Sequence, residues 1–273
     1  MIALNRARDL KAQLLGAPGY STELSLSRDE LEFFREAIEN QWLENIGIHF
    51  PAAAKEFKRA GIDRYHERSH MVVHESLWTK SARVLPQVVV DEIKRFKFAE
   101  LLREELGPFS ISDVVLEDGS VFPGHEEVYW RLVRPDMSTD VGALHTDRWF
   151  HRVLGPAEGL FPETVFTVKM WTPIICEPGR NGLLVVPNSH LKEWRVRYQD
   201  KNGSKKPSLD EPLGSFEPKL LDTPPGNFVL FGERLLHGGA RNQGSTTRVS
   251  TEITLVFEKD RLCPSNELTS TTG

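Results

Sequence analysis

Residues Gly226–Phe257 read GNFVLFGERLLHGGARNQGSTTRVSTEITLVF. Two apolar runs, NFVLF (Asn227–Phe231) and RVSTEITLVF (Arg248–Phe257), flank a stretch crowded with Gly, Asn and Arg. Runs of this length, rich in branched and aromatic residues and bounded by turn formers, read as β-strands. The same pattern extends upstream through VVLED (Val114–Asp118), VYWRLV (Val128–Val133), TVFTVKMW (Thr164–Trp171) and GLLVVP (Gly182–Pro187). Several short strands separated by turn clusters predict an antiparallel sandwich or barrel.

The first third differs. Ser27 and Glu30 form an S-x-x-E capping box, after which Leu31, Phe34, Ile38, Trp42 and Ile46 recur at helical spacing. A second helix is expected from Leu85 to Leu106, stopped by Gly107–Pro108. The expected organisation is one structural domain. A helical flank over residues 1–110 packs on a β-rich core over 111–273, which carries a long polar insertion, 192–222, between strands. Insertions of that length are lids or mobile loops, and Gly203 with Lys205 and Lys206 points to mobility. A shorter loop of the same kind spans Arg152–Glu163.

Composition narrows the function. The 273 residues are 39% hydrophobic and 27% charged, ordinary for a globular chain with a real core. A net charge of −5 argues against a general nucleic-acid binder. Cys176 and Cys263 are the two cysteines, too few for a disulfide framework or a multi-cysteine metal site. The N-terminus has no continuous apolar stretch of the signal-peptide kind, and no segment approaches the roughly 20 apolar residues of a membrane span. A soluble, cytoplasmic protein is expected; oligomeric state is not legible.

Two metal motifs compete for the histidines. His145-Thr-Asp147 is weak as a pattern, since chance supplies roughly 0.4 H-x-D pairs in such a composition. Its chemistry is better: residues i and i+2 of an extended segment share a side, so an imidazole and a carboxylate can converge on one cation. A distant third ligand, His237, would complete a two-histidine, one-carboxylate triad with open positions, the arrangement of non-haem Fe(II) oxygenases. Arg248 begins a strand and Ser250 shares its face, a good clamp for a carboxylate. The rival is His66-Glu67-Arg68-Ser69-His70, matching H-E-x-x-H, for which chance gives about 0.03. On a helix it could hold zinc, with His74 extending the stripe. Its charged surroundings, Gly61 just upstream and the lack of a third ligand favour a solvated or structural histidine stripe.

The ordered set LHTDRWF (Leu144–Phe150), KMWTPI (Lys169–Ile174), NGLLVVPNSH (Asn181–His190) and Gly226–Ser250 resembles the phytanoyl-CoA dioxygenase family, over about residues 125–258. Asn188 stands where that family's segment usually has Gly, and Asn tolerates positive φ. The resemblance implies a double-stranded β-helix (jelly-roll, cupin-like) core with flanking helices, and an Fe(II)- and 2-oxoglutarate-dependent dioxygenase using O2. It further implies that His145, Asp147 and His237 bind iron and that Arg248, helped by Ser250, pairs with 2-oxoglutarate. A carboxylate at 147 favours oxygenation over halogenation.

For the substrate, Arg148, His151 and Arg152 cluster beside the motif, and the insertion adds Lys192, Arg195, Arg197, Lys201, Lys205 and Lys206. Cations gathered at one mouth of an acidic chain suggest a small anionic molecule, such as a phosphate, phosphonate or sugar acid. Lys169, a cation inside an apolar strand, and Trp171 at the same parity are the candidate contacts with Arg148. Trp130, Trp149 and Trp171 also suit the core. A zinc hydrolase built on His66 and His70, or a non-catalytic jelly-roll binding module, are the alternatives.

Overall fold

The computed structural model describes residues 9–116, 118–154, 160–201, 204–212 and 214–262. The expected helix after Ser27 is present as α2 (Arg28–His49), preceded by α1 (Leu10–Leu15) and followed by α3 (Pro51–Ala60). Both halves of the capping box form: Glu30 N–H donates to Ser27 Oγ, and Ser27 N–H to Glu30 Oε2. Phe34, Ile38, Trp42 and Ile46 are fully buried, while Leu31 packs at the rim. Short turns α4 (Tyr65–Arg68) and α5 (His74–Leu77) lead on to α6 (Gln87–Ile93) and α7 (Lys97–Leu106).

The single helix expected over 85–106 is therefore two. Phe96 leaves helical geometry, with φ −67° and ψ 153°, and caps α7. Its ring packs edge-on against Phe33 and Phe34 of α2, at 5.1 and 6.3 Å between centroids. Aromatic packing fixes the break, a tertiary effect that periodicity does not report. Gly107 ends α7 at φ 98° as expected.

The strands are β1 (Tyr20–Ser25), β2 (Ser110–Ile111), β3 (Asp113–Val115), β4 (Val121–Glu126), β5 (Val128–Val133), β6 (Val165–Ile175) and β7 (Leu183–Val185). There follow β8 (Val196–Lys201), β9 (Ser204–Leu209), β10 (Lys219–Leu220), β11 (Asn227–Gly232), β12 (His237–Gly239) and β13 (Arg248–Glu258). All pairings are antiparallel. The major sheet runs β1-β11-β6-β13, with β5 and then β2 along the far edge of β13; a smaller sheet runs β10-β7-β12. The N-terminal flank is thus not helical throughout, because β1 is a strand of the major sheet, paired with β11. The 192–222 insertion is not a structureless loop either. It holds the β8–β9 hairpin and β10; Gly203 lies outside the described residues, as does 155–159 of the shorter loop.

Strand parity assigns two different faces to the major sheet. Val128, Trp130 and Leu132 of β5, Val168 and Met170 of β6, Phe228 and Leu230 of β11, and Val249, Ile253 and Leu255 of β13 join the helices in one apolar cluster. The opposite parity faces the smaller sheet, where Trp171, Val229 and Phe231 meet Leu183 and Val185. With both faces covered, the strands read as nearly continuous apolar runs. On that inner face the runs are broken by polar residues: Arg131, Lys169, Arg248, Ser250, Glu252 and Thr254. The architecture is the expected double-stranded β-helix with flanking helices.

Candidate metal centre and its cavity

His145 and His237 are joined by an isolated antiparallel bridge, each backbone N–H donating to the other's carbonyl at 2.9 Å. Such a pair carries its side chains on one side, and the two rings lie 4.5 Å apart. Asp147 arrives by another route than expected. It is not the i+2 residue of an extended edge but the first residue of a short helix, α8 (Asp147–His151). The turn into α8 brings its carboxylate to the histidines. One donor atom from each of the three residues lies within 4.8 Å of the others.

The histidines are oriented by their own backbone. Nδ1 of His145 meets the Ala143 carbonyl at 2.8 Å, and Nδ1 of His237 meets the Leu235 carbonyl at 2.9 Å. A carbonyl only accepts, so each Nδ1 carries the proton and each Nε2 keeps its lone pair, the usual preparation of a metal-ligating histidine. His237 Nε2 is 3.8 Å from Asp147 Oδ1. Burial, then the neighbouring His237, pushes His145 down to about 4, so it is neutral near pH 7. Burial alone would raise Asp147, but Lys169, followed by the histidines, holds it well below the usual carboxylate range. Two imidazoles and one carboxylate suit a divalent first-row ion and leave coordination positions open.

These residues line a cavity of about 700 Å³ that also exposes Lys169, Trp171, Arg248 and Glu252. Arg248 is only 2% exposed. Its Nη1 donates to the Gly182 carbonyl at 2.6 Å, whereas its buried Nε and the buried Oγ of Ser250 have no partner among the described residues. Burial, then Arg131, pushes the Arg248 guanidinium down to about 10. A buried guanidinium with no acid opposite it is costly unless an anion completes it. The orphaned donors therefore fit a carboxylate-bearing cosubstrate. Gly239 keeps room for this side chain: a Cβ there would lie 3.4 Å from Arg248 Nη2. The Asn181–Gly182 turn is fastened by Asn181 Nδ2, which donates to Asn242 Oδ1 at 2.8 Å. Asn188 adopts φ 64°, the conformation for which Asn substitutes for Gly.

The other expectations separate. Lys169 is at the centre, its Nζ bonded to Thr254 Oγ1 at 2.7 Å and 3.8 Å from Asp147 Oδ2. Trp171 lies between cavity and core, its ring 5.9 Å from the Arg248 guanidinium carbon. Arg148 is not among the cavity-lining residues, and Trp130 and Trp149 belong to apolar clusters. In the insertion, Arg195 pairs with Glu211 and Arg197 with Asp210, while Lys192 lies over Trp194. Lys206 lines the cavity.

The H-E-x-x-H segment does not form one helix, since α4 ends at Arg68 and a 3-10 turn, Ser69–Met71, follows. His66 Nδ1 is 3.0 Å from Thr247 Oγ1, Glu67 is held by Arg64, and His74 Nδ1 is 2.9 Å from the Tyr65 hydroxyl. Among the described residues, the group of three donors placed for an ion is that of His145, Asp147 and His237.

Sequence reasoning missed Arg131 and Glu252. They share the inner-face parity of Arg248, and a charge inside each of VYWRLV and RVSTEITLVF is the same signal that marked Lys169.

The family model for phytanoyl-CoA dioxygenase (PhyH) matches residues 25–250. The chain therefore belongs to the phytanoyl-CoA dioxygenase family, and it is a non-haem iron, 2-oxoglutarate-dependent oxygenase. Solved structures share the fold at low identity. EctD from S. alaskensis is 15% identical with TM-score 0.52, over 93% of this chain and 79% of that one. AviO1 from Streptomyces viridochromogenes Tue57 is 15% identical with TM-score 0.51, over 94% and 97%. The non-haem α-ketoglutarate-dependent carbocyclase SnoK from nogalamycin biosynthesis is 13% identical with TM-score 0.51, over 92% and 84%. No curated protein matches the chain in sequence. No helix among the described residues is long and apolar enough to cross a membrane.

Proposed function

We propose that this oxygenase hydroxylates a small polar or anionic molecule, with His145, Asp147 and His237 holding the iron and Arg248, assisted by Ser250, binding the distal carboxylate of 2-oxoglutarate. The observation that carries the reading is the meeting, in one cavity, of three ligand atoms within 4.8 Å and a buried arginine with unpaired donors. Iron bound there, with 2-oxoglutarate and O2, supplies the oxidant for a substrate C–H bond, releasing succinate and CO2. The protein's part is placement. The Ala143 and Leu235 carbonyls hold the imidazoles in the metal-binding tautomer. Lys169 keeps Asp147 ionised beside them. Trp171 and Phe231 supply an apolar wall that limits water at the centre.

The test is anaerobic visible absorption of the purified protein titrated with Fe(II) and then 2-oxoglutarate. Wild type should develop a charge-transfer band that is lost in Asp147→Ala and weakened in Arg248→Ala. A wild type that binds zinc but forms no such band would end this reading.

A further inference from the structure

Three arginines line the cavity, Arg83, Arg131 and Arg248, and the last two are held in opposite ways. Arg248 is closed in, 2% exposed. Arg131 is open: its side chain is 40% exposed although it stands in the middle of β5, because that exposure is to the cavity. In register it lies across from Ser250, two residues along from the Tyr129–Glu252 pair. Its Nε donates to Glu252 Oε1 at 2.5 Å, and its guanidinium carbon stacks 5.2 Å from the Tyr129 ring centre. Nη1 and Nη2 make no hydrogen bond to any described residue. One edge of the guanidinium is fixed by an acid, one face rests on an aromatic ring, and the outer pair of amino groups remains available. That is a pre-organised fork for a planar, two-oxygen anion.

We infer that Arg131 is the anchor for a carboxylate on the substrate, a second anion site beside the one assigned to Arg248. The inference rests on the proposed function and names the substrate class for that same cavity. The neighbouring charges select the anion. Glu252 is bound to Arg131, Glu127 is 2.6 Å from Lys80, and Asp113 lines the same wall. Lys80 and Arg83 lie over the same Tyr129 ring, so acids and cations on this wall nearly balance, and a singly charged carboxylate matches what is left on the Glu252-paired guanidinium. Phe150, Leu154, Leu160 and Phe161 form another part of the wall, so the body of the acid is apolar or aromatic. The bland account, a cross-strand ion pair that only stiffens the sheet, requires no bound anion and no preference among ligands.

The experiment uses protein loaded with Ni(II) and saturated with 2-oxoglutarate, which occupies Arg248. Phenylacetate, phenylacetamide and phenyl phosphate are titrated by calorimetry into wild type, Arg131→Gln and Arg131→Lys. Wild type should prefer phenylacetate over the amide by roughly tenfold or more, the value of a charge-assisted hydrogen bond. The preference should vanish in Arg131→Gln and shrink in Arg131→Lys, which keeps the charge but loses the fork. No acid-over-amide preference in wild type overturns the inference without any variant. So does a preference retained in Arg131→Gln, and tighter binding of phenyl phosphate than phenylacetate overturns the carboxylate assignment. The Fe(II)–2-oxoglutarate band reports separately. Its absence removes the proposed function and this inference together, whereas its presence without the preference removes the inference alone.

Discussion

Arg248 concentrates the cost of the site in one side chain. Its guanidinium is buried, and among the described residues its Nε has no partner and its one hydrogen bond is to a backbone carbonyl. If a carboxylate completes it, Arg248→Ala should raise KM for 2-oxoglutarate by roughly ten- to hundredfold, the range for hydrogen bonds to a charged group. Arg248→Lys should recover part of that loss. Succinate release against 2-oxoglutarate concentration measures both, and an unchanged KM would separate Arg248 from the cosubstrate. His74 makes a different residue-scale prediction. Burial, reinforced by Arg134, lowers its pKa, while Asp140 and Glu75 pull the other way. A histidine depressed in the folded state stabilises the fold above its unfolded pKa of about 6.5 and loses that contribution as pH falls through it. The urea midpoint of wild type should therefore fall between pH 7.5 and 5.5 more than that of His74→Gln. His145 and His190, both lowered chiefly by burial, keep the rest of the acid dependence in both. Equal slopes would show that His74 does not titrate on unfolding.

At the scale of elements, an amide ties α2 to β5, while Arg35 of the same helix donates to the Ile174 carbonyl of β6. Gln41 Nε2 donates to the Val84 carbonyl at 2.7 Å, and Gln41 Oε1 accepts from Trp130 Nε1 at 2.7 Å. Gln41→Leu leaves both partners unmet beneath the helix, at a cost of about 1–3 kcal/mol each. Urea unfolding should show that loss with the KM for 2-oxoglutarate unchanged, since Gln41 packs on the far face of β5 from the cavity. Elements whose cause is local were legible in the sequence. Ser27 and Glu30 cap α2 from three residues apart, and β5 (VYWRLV) is bounded as read. Elements fixed by distant partners were not. Phe96 breaks the second helix because of rings on α2, and β1 becomes a strand because β11 offers it an edge. The site divides the same way. His145, Asp147, His237 and Arg248 were legible as an ordered set, but the α8 turn that delivers Asp147 was not. Arg131 and Glu252 carried the signal that marked Lys169, a charge inside an apolar strand, but only the fold shows that the face they share borders a cavity.

For the whole molecule, the question is whether the N-terminal flank is a cover or a part of the core. Leu10, Leu14, Leu24 and Leu26 are each at least nine-tenths buried in the cluster shared by the helices and the major sheet. Tyr20 reaches the other side of that sheet, into the cluster between the two sheets. Residues 9–26 therefore touch both hydrophobic layers, and β1 also covers the outer edge of β11. Removing residues 1–26 should cost roughly 6–12 kcal/mol, taking about 1.5–3 kcal/mol for each buried leucine. A loss of that size is comparable with the roughly 5–15 kcal/mol that holds a typical domain together. The bared β11 edge would then be open to pairing between chains. The full chain should unfold in one urea transition, coincident by tryptophan fluorescence and far-ultraviolet circular dichroism. The truncated chain should yield no folded monomer on size exclusion. A truncated protein that elutes as a monomer with its own cooperative transition would show instead that the β-helix core is self-sufficient and the flank a separable addition.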